Sequence, residues 1–457
     1  MKNKLFLLFT LLCLSTSALA DGVKIDGIYY YLDQENKTAE VTFPDEDGGY
    51  SGDITVPMTV VYLEDTYSVT RITHGAFSYC SDLTSVEIPG SVIEIEDGAF
   101  RGSISLKSIV IPNSVTKMGE GAFYGCSSLS SVVLSNAITS IEYSTFSGCG
   151  SLASIEIPNS VTHIGAGAFR NCGLSSLDIP NSVISIEEGM IEGCNITTIE
   201  IPSSVTEIDA GTFRRCGSLQ EVNVAADNPE YISVDGVLYN KAQTSILCFP
   251  AGKQSTTFTI PNSVTEIGRF AFECNTYLNS VIIPNSVTSI GGAAFWGCSG
   301  LTSVDMGNSV LCIGTAAFCN CSSLTSIKIP DSVYSIGRSA FAKCSSLKFV
   351  YIYVGMYYGD NILTYSGECP FSSVAEGSIL YVPARMKEKY ESSSYKDVFS
   401  QILTLDDAAG IENADISTDK PSVKAVYGLD GRNVKQGQRG VNIMRYSDGT
   451  VRKVFEK

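Results

Sequence analysis

Apolar side chains recur along the chain at a nearly constant interval of 23 residues, with two steps of 22 and one of 59. The most regular column contains Phe77, Phe100, Phe123, Phe146, Phe169, Ile191, Phe213, Phe272, Phe295, Phe318 and Phe341. Eight residues before each of these lies a Val or Ile, and five residues before lies an Ile or, once, Met118. A pattern that holds over eleven registers predicts a repeat architecture in which each unit stacks on the next.

Each unit contains two short segments with the alternation of a β-strand. The first has the form Val-x-Ile-Pro, as in residues 86–89, and the second has the form Val-Thr-x-Ile. Proline ends the first strand because it has no N–H to give to a ladder. Strands this short cannot bury themselves, so pairing between units about 4.8 Å apart predicts a β-solenoid. The Ala-Phe step that closes the unit fits either a helical turn or a loop.

The 59-residue step interrupts the array with a unit of 36 residues, at about residues 225–259. Within it, Asp235-Gly236 separates two alternating segments, which predicts a β-hairpin. We expect this unit either to project from the solenoid or to widen it locally. Two interpretations stay open, a contact element and an insertion that the array tolerates.

Both ends of the chain differ from the array. Lys2 and Lys4, the apolar run 5–14 and Ala18-Leu19-Ala20 predict a signal peptide over residues 1–20, cleaved near Ala20. The apolar run is too short to cross a bilayer, so we expect no transmembrane segment. Residues 404–421 are typical of a linker, and residues 422–457 alternate as short strands, which predicts a small C-terminal β tail.

Charge narrows the classes of partner. The formal net charge is −17, although residues 420–457 carry nine basic and three acidic side chains. The repeat body is therefore strongly acidic, which disfavours nucleic acid and anionic membranes as partners.

Cysteine and histidine give no pattern for catalysis or metal binding. One column three residues after the Phe column holds nine cysteines: Cys80, Cys126, Cys149, Cys172, Cys194, Cys216, Cys298, Cys321 and Cys344. We expect buried reduced thiols there, because parallel Cβ vectors on adjacent turns fit a disulfide poorly. His74 and His163 lie in different columns, about four turns apart, and no partner is marked for either. We therefore expect surface histidines, no catalytic residues, no metal site and no cofactor.

The outward position of each Val-x-Ile strand forms a row that combines acidic and apolar residues. From this row we select the candidate ligand-binding residues Glu87, Glu156, Asp178, Glu200, Asp305 and Tyr351. Solenoids bind through extended faces of this kind. The row suits a basic or mixed protein surface or a cation-bridged glycan, whereas the simpler interpretation is that it keeps the sheet soluble.

The unit C-S-S-L-T-S-V-x-I-P-N-S-V-T-x-I-G-x-x-A-F closely resembles the BspA-like subfamily of bacterial leucine-rich repeats over residues 69–352. This resemblance implies a right-handed, curved leucine-rich-repeat array at the bacterial surface, with an N-terminal cap at 21–68 and a C-terminal cap at 353–403. Residues 422–457 are similar to the C-terminal sorting-type domains of exported Bacteroidetes proteins. That second resemblance implies outer-membrane transit or surface attachment.

The sequence thus predicts a secreted or cell-surface binding protein without enzymatic activity. The family resemblance implies an adhesin that recognises a host or microbial protein or polysaccharide through an extended face. A structural surface-layer scaffold is the alternative, and an accessory to a glycan-processing enzyme is a more remote one.

Overall fold

A computed structural model describes residues 22–44, 49–354 and 368–408, together with the backbone of four strands between residues 423 and 456. The chain divides into two compact units, residues 1–402 and 403–457. The expected signal peptide, its cleavage point near Ala20 and most of the expected linker lie outside the described residues.

Six strands form the N-terminal part of the structure, and the last of them contains the first Val-Thr-x-Ile segment. They are β1 (Val23–Ile25), β2 (Ile28–Asp33), β3 (Thr38–Thr42), β4 (Gly52–Thr55), β5 (Thr59–Tyr62) and β6 (Asp65–Ile72). Strands β1, β2 and β3 are antiparallel, and β3 then pairs with β6 in parallel. Strands β4 and β6 each provide an edge on which the parallel strands of the repeats stack.

The first group of repeats forms short parallel ladders on two sides of the solenoid, and the pairing is interrupted once on each side. Its strands are β7 (Leu83–Glu87), β8 (Glu94–Ile95), β9 (Ser108–Val110), β10 (Lys117–Met118), β11 (Ser131–Val133), β12 (Ser140–Ile141), β13 (His163–Ile164), β14 (Ser185–Ile186), β15 (Thr198–Ile201), β16 (Glu207–Ile208) and β17 (Glu221–Val224). Each residue faces its equivalent in the next unit, as Ser131 faces Ser108. This one-unit register confirms the solenoid, which has about 14 turns.

The Ala-Phe step is a hydrogen-bonded turn and not a helix. Phe100 N–H donates to Ala122 O in the next turn at 2.8 Å, and Arg101 N–H donates locally to Gly98 O. Gly98 and Gly102 have φ values of +60° and +72°, in the left-handed region that stops a helix. This choice was open from the sequence because the apolar pattern fits both forms.

The Phe column forms a continuous stack in the core. Rings from Phe77 to Phe169 are parallel, with centroids 5.0 to 5.7 Å apart. A second stack runs from Phe249 to Phe371 with spacings of 4.6 to 5.1 Å. Between the stacks, Phe213 is only partly buried, and the buried apolar residues form two separate clusters.

The long unit lies where these two cores meet. It contains β18 (Tyr231–Val234), β19 (Val237–Asn240) and β20 (Ser245–Cys248), with φ values of +50° and +74° at Asp235 and Gly236. Residues 237–239 are buried, and the sheet order runs from β18 through β19 to β20. The hairpin therefore adds two strands at the edge of a sheet, with β18 outermost, and β19 packs into the core.

The remaining repeats follow the same plan. Their strands are β21 (Thr257–Thr259), β22 (Glu266–Ile267), β23 (Ser280–Ile283), β24 (Ser289–Ile290), β25 (Ser303–Met306), β26 (Cys312–Ile313), β27 (Ser326–Ile329), β28 (Ser335–Ile336) and β29 (Phe349–Ile352). After them come β30 (Ile379–Val382), a 3-10 helix (Ala384–Met386), α1 (Lys387–Glu391), a second 3-10 helix (Ser394–Asp397) and β31 (Gln401–Thr404). The Phe371 ring packs against Tyr395 and Phe399 at the end of the core.

The second compact unit contains an antiparallel sheet. Its strands are β32 (Val423–Tyr427), β33 (Asn433–Val434), β34 (Gly440–Tyr446) and β35 (Val451–Glu456), in the order β33-β32-β34-β35. The Asp-Gly turns expected between the strands lie outside the described residues.

Candidate functional site

The predicted row lies on one exposed side of the solenoid, formed by the outward positions of the Val-x-Ile segments, which we call the strand face. Glu87 ends β7, Glu200 lies in β15 and Asp305 lies in β25. In β15, exposed and buried positions alternate, so that Glu200 points to solvent. The alternation predicted from the sequence thus puts these three carboxylates on the surface.

Glu156 and Asp178 are also exposed, but neither lies in a strand, contrary to the expectation that every Val-x-Ile segment forms one. The apolar residues that flank them are still buried. The units of 22 residues have one residue fewer between the Cys column and the Leu column. Ser175 N–H donates to Ala153 O at 3.1 Å, and these two residues are 22 positions apart in the chain. The repeat spacing therefore changes from 23 to 22 residues in the same part of the array where two Val-x-Ile segments do not form strands.

The six selected residues do not form one continuous row. On the strand face, β17 pairs with β15, whereas β21 pairs with β23, and the hairpin unit lies between β17 and β21 in the chain. We call residues 69–224 the first half-array and residues 257–352 the second half-array. Glu87, Glu156, Asp178 and Glu200 belong to the first, and Asp305 and Tyr351 belong to the second.

Two of the selected acids do share a groove. Asp178 and Glu200 line a groove of about 390 Å³ together with Asp227, a residue that the repeat pattern does not mark. All three side chains are exposed. The groove therefore presents three carboxylates to solvent.

A second groove of about 350 Å³ lies farther toward the N-terminus of the same face. Val110, Val133 and Glu156 line it. The valines are 59% and 54% exposed, and they lie opposite each other in β9 and β11. Adjacent acidic and apolar grooves give the first half-array a mixed surface.

The polar surface of the strand face continues beyond Glu87 into β4, where Thr55 lies opposite Glu87 and Asp53 lies opposite Ser85. Thr55 donates a hydrogen bond to Glu87 at 3.3 Å, and Asp53 accepts hydrogen bonds from Ser85 and Thr84 at 2.6 and 2.7 Å. These hydroxyl donors hold the pKa of Asp53 below its usual value. Sequence reasoning missed Asp53, although residues 52–57 carry a variant of the Val-x-Ile-Pro motif.

Tyr351 is largely engaged in packing. Its ring stacks on that of Tyr381 with centroids 4.8 Å apart, and Lys328 Nζ lies 5.7 Å from its centroid. The side chain is half-buried. Tyr351 therefore joins the last repeat strand to β30, and it is a weaker binding candidate than the acids.

The cysteine column supplies hydrogen-bond donors to the backbone. The Cys126 thiol donates to Phe100 O at 3.0 Å, and burial raises the pKa of this thiol to about 12. Ser103 and Asn275 occupy the same column and donate to carbonyl groups of the preceding turn. Ser103 and Asn275 stand where most turns have cysteine, and in the sequence they are the sign that this column needs a hydrogen-bond donor as well as a small side chain. All fourteen cysteines that the structure describes are free thiols.

The two histidines have different surroundings. His163 is half-buried in β13, where Glu187 Oε1 lies 3.5 Å from Nε2 and Ser185 Oγ lies 3.5 Å from Nδ1. The sequence marked no partner for His163, but Ser185 lies opposite it on the next turn and Glu187 lies two residues farther along the chain. His74 is exposed, on another side of the solenoid.

That other side, formed by the turns around the Phe column, carries a groove of about 490 Å³ that we call the tyrosine groove. Tyr79, Tyr124 and Tyr143 line it and are 69%, 42% and 56% exposed. His74, Asp97, Arg101 and Glu120 also line it. Sequence reasoning missed this groove because its aromatic residues come from different columns of the repeat.

In residues 22–44, 49–354 and 368–408, no group of three or more His, Cys, Asp or Glu side chains is arranged to hold a metal ion. Among the described helices, none is long and apolar enough to cross a membrane.

Comparisons with known proteins agree with this architecture. The sequence-family model of the BspA type leucine rich repeat region matches this chain in six copies, over residues 57–172, 139–244 and 244–366. A leucine rich cell surface protein from Faecalibacterium prausnitzii is 30% identical, with a TM-score of 0.67 over 88% of this chain and 98% of that chain. The pneumococcal vaccine antigen PcpA shares the fold at 20% identity, with a TM-score of 0.52 over 84% of this chain and 98% of that one. No curated protein matches significantly. The chain belongs to the BspA type leucine rich repeat family.

Proposed function

We propose that this chain is a secreted or cell-surface adhesin that binds an extracellular protein with a basic or mixed surface. The observation that carries the proposal is the acidic groove of the strand face, lined by Asp178, Glu200 and Asp227. The neighbouring groove adds exposed Val110 and Val133, which suit apolar contacts beside the charges. Such a surface complements a partner in which lysine or arginine flanks apolar residues.

A solenoid is suited to this mode of binding. Backbone hydrogen bonds connect successive turns, as between Ser131 and Ser108, so that the strand face is ordered before a partner arrives. Binding to a preformed surface avoids most of the entropy cost of ordering loops. Attraction between exposed charges weakens with salt, because the Debye length is about 10 Å at 0.1 M ionic strength.

In this proposal, segments at the two ends of the chain direct its export. Residues 1–20 would direct secretion, and residues 422–457 would serve as a sorting-type tail. The similar protein from Faecalibacterium prausnitzii is a cell surface protein, which supports the same location here. The family and fold are those of repeat proteins that usually act without catalysis, which supports binding as the activity.

Binding to an array of extracellular matrix proteins and polysaccharides tests the proposal. We expect saturable binding to at least one protein with a basic region, which weakens between 0.05 and roughly 0.5 M salt. The triple variant Glu156→Gln, Asp178→Asn, Glu200→Gln should weaken it about tenfold, since exposed ion pairs contribute roughly 0.2 to 1 kcal/mol each.

A matched control removes three other exposed carboxylates. The variant Glu188→Gln, Glu207→Gln, Glu266→Gln changes the net charge equally, away from the strand face. An equal loss of affinity in both variants would show that net charge matters and the strand face does not. Self-association without any foreign ligand would instead indicate a structural surface-layer scaffold.

A further inference from the structure

The tyrosine groove has features that packing of the solenoid does not require. Tyr79, Tyr124 and Tyr143 expose between 42% and 69% of their surface. Large aromatic side chains that remain exposed around a concavity are typical of binding sites. The volume of about 490 Å³ falls in the range of small-ligand sites, roughly 300 to 1,000 Å³.

Glycines set the shape of the groove. A Cβ atom on Gly102 would come within 2.6 Å of the Tyr79 ring, so this ring lies directly over the backbone of the next turn. Three other glycines, one from each of three successive turns, line the groove itself: Gly75, Gly98 and Gly121. Their φ values of +64°, +60° and +57° are in the left-handed region, and they leave part of the groove wall without side chains.

Polar groups converge on the same space. Asp97 Oδ1 accepts a hydrogen bond from Glu120 N–H at 2.8 Å, which fixes the position of the Asp97 carboxylate. The Arg101 guanidinium lies over the Tyr124 ring, 4.9 Å from its centroid. With the His74 imidazole, the groove thus offers two carboxylates, a cation and an imidazole beside three phenol rings.

This combination selects among ligand classes. A purely apolar ligand would remove water from the carboxylates without replacing their hydrogen bonds. Two carboxylates against one guanidinium disfavour an anionic ligand. A ligand with an apolar face for the rings and several hydroxyls for the carboxylates and Arg101 satisfies both demands.

We propose that the tyrosine groove binds a neutral saccharide, with Tyr79 and Tyr124 stacking on sugar rings and Asp97 and Glu120 accepting hydrogen bonds from hydroxyls. The site lies on the turn side, apart from the strand face. The proposal rests on the proposed function only in assuming that the chain meets extracellular material. A surface binding protein would then have two independent sites.

The test measures binding of the purified full chain to defined probes by calorimetry and saturation-transfer NMR. The neutral probes are cellohexaose, maltohexaose and mannohexaose, the anionic probe is hexagalacturonate and the cationic probe is hexalysine. We expect saturable binding of at least one neutral probe. The double variant Tyr79→Ala, Tyr124→Ala should weaken it at least about tenfold, because both stacking surfaces are lost.

Two control variants show whether the loss of binding is specific to the groove. The variant Tyr277→Ala, Tyr334→Ala removes tyrosines that are 44% and 67% exposed elsewhere, and it should leave saccharide affinity unchanged. The strand-face triple variant should also bind the saccharide normally, so that the two proposals can fail separately. Unchanged thermal unfolding of the Tyr79→Ala, Tyr124→Ala chain would show that lost binding is not lost folding.

Three outcomes would overturn the proposal. The first is that none of the neutral probes binds at millimolar concentration. The second is that hexagalacturonate or hexalysine binds the groove in preference to the neutral probes. The third is that the Tyr79→Ala, Tyr124→Ala and control variants bind a neutral probe equally well.

Discussion

The two half-arrays have the same core but differ in their surfaces and at their junction. Both contain a Phe stack, and both contain thiols that donate to the preceding turn, as Cys126 and Cys321 do. The outward row of the first half-array combines acidic residues with Val110 and Val133, whereas that of the second half-array also contains a basic residue, Lys328, beside Ile282 and Asp305. The repeat fixes the inward positions and leaves the outward ones free to vary, so function must be sought where the halves differ.

Side chains connect the two half-arrays across the long unit. Arg214 Nε lies 3.3 Å from Glu273 Oε1, a pair that spans the long unit, and the Arg214 guanidinium lies 4.3 Å from the Phe270 centroid. Phe270 has a φ of +59° in a column that otherwise contains mainly Gly, Ala and Ser. A Cβ atom on Gly211 would lie 3.2 Å from the Phe270 ring, so this glycine allows the close approach.

The largest expected effect comes from breaking one Phe stack. Phe123 and Phe318 are fully buried, in the first and second half-arrays respectively. Phe123→Ala or Phe318→Ala should each cost about 4 kcal/mol, whereas Phe213→Ala should cost less because Phe213 is only partly buried. Hydrogen exchange should show Phe318→Ala loosening residues 257–352 while residues 69–224 stay protected. Equal loosening of both half-arrays would show that they unfold as one cooperative unit.

The junction pair is the next target. Arg214→Ala leaves the Glu273 carboxylate buried without its cation, and we expect a loss of about 3 kcal/mol at pH 7. Burial raises the pKa of Glu273, although Arg214 opposes this shift. The folded state therefore holds the proton more tightly than the unfolded state, so this group favours folding at low pH and loses that contribution as pH rises through the folded pKa.

Urea unfolding at pH 7 and pH 5 checks this prediction. The cost of Arg214→Ala should be smaller at pH 5 than at pH 7, because the raised pKa of Glu273 favours uptake of a proton as pH falls, and a neutral carboxyl group needs no counter-charge. Arg101 occupies the same column in the first half-array and is exposed, so Arg101→Ala should change stability by less than about 0.5 kcal/mol at either pH. A cost of Arg214→Ala that does not vary with pH would contradict the role given to Glu273.

Sequence periodicity predicted the array because each inward position obeys the same rule in every turn. The Phe column, the Val-x-Ile strands and the exposure of Glu87 and Glu200 follow from period-two alternation and stacking. The tyrosine groove did not follow, because Tyr79, Tyr124 and Tyr143 come from three different columns and meet only through the stacking of turns. Asp227 was missed for a similar reason, since it lies just beyond the last strand of the first half-array.

The smallest expected effect compares one glycine column in the turns of the two half-arrays. Gly102 and Gly297 occupy the same column in the two half-arrays, and both have a φ of +72°. Alanine at either position should cost roughly 1 to 2 kcal/mol, because a Cβ atom is strained in this conformation.

A Cβ on Gly102 would also displace the Tyr79 ring, whereas a Cβ on Gly297 would meet Cys274 Sγ at 3.3 Å. Gly102→Ala should therefore weaken saccharide binding, and Gly297→Ala should not. Thermal unfolding and calorimetry on both variants give the two readouts, and equal saccharide affinity in both would show that the position of Tyr79 does not matter for binding.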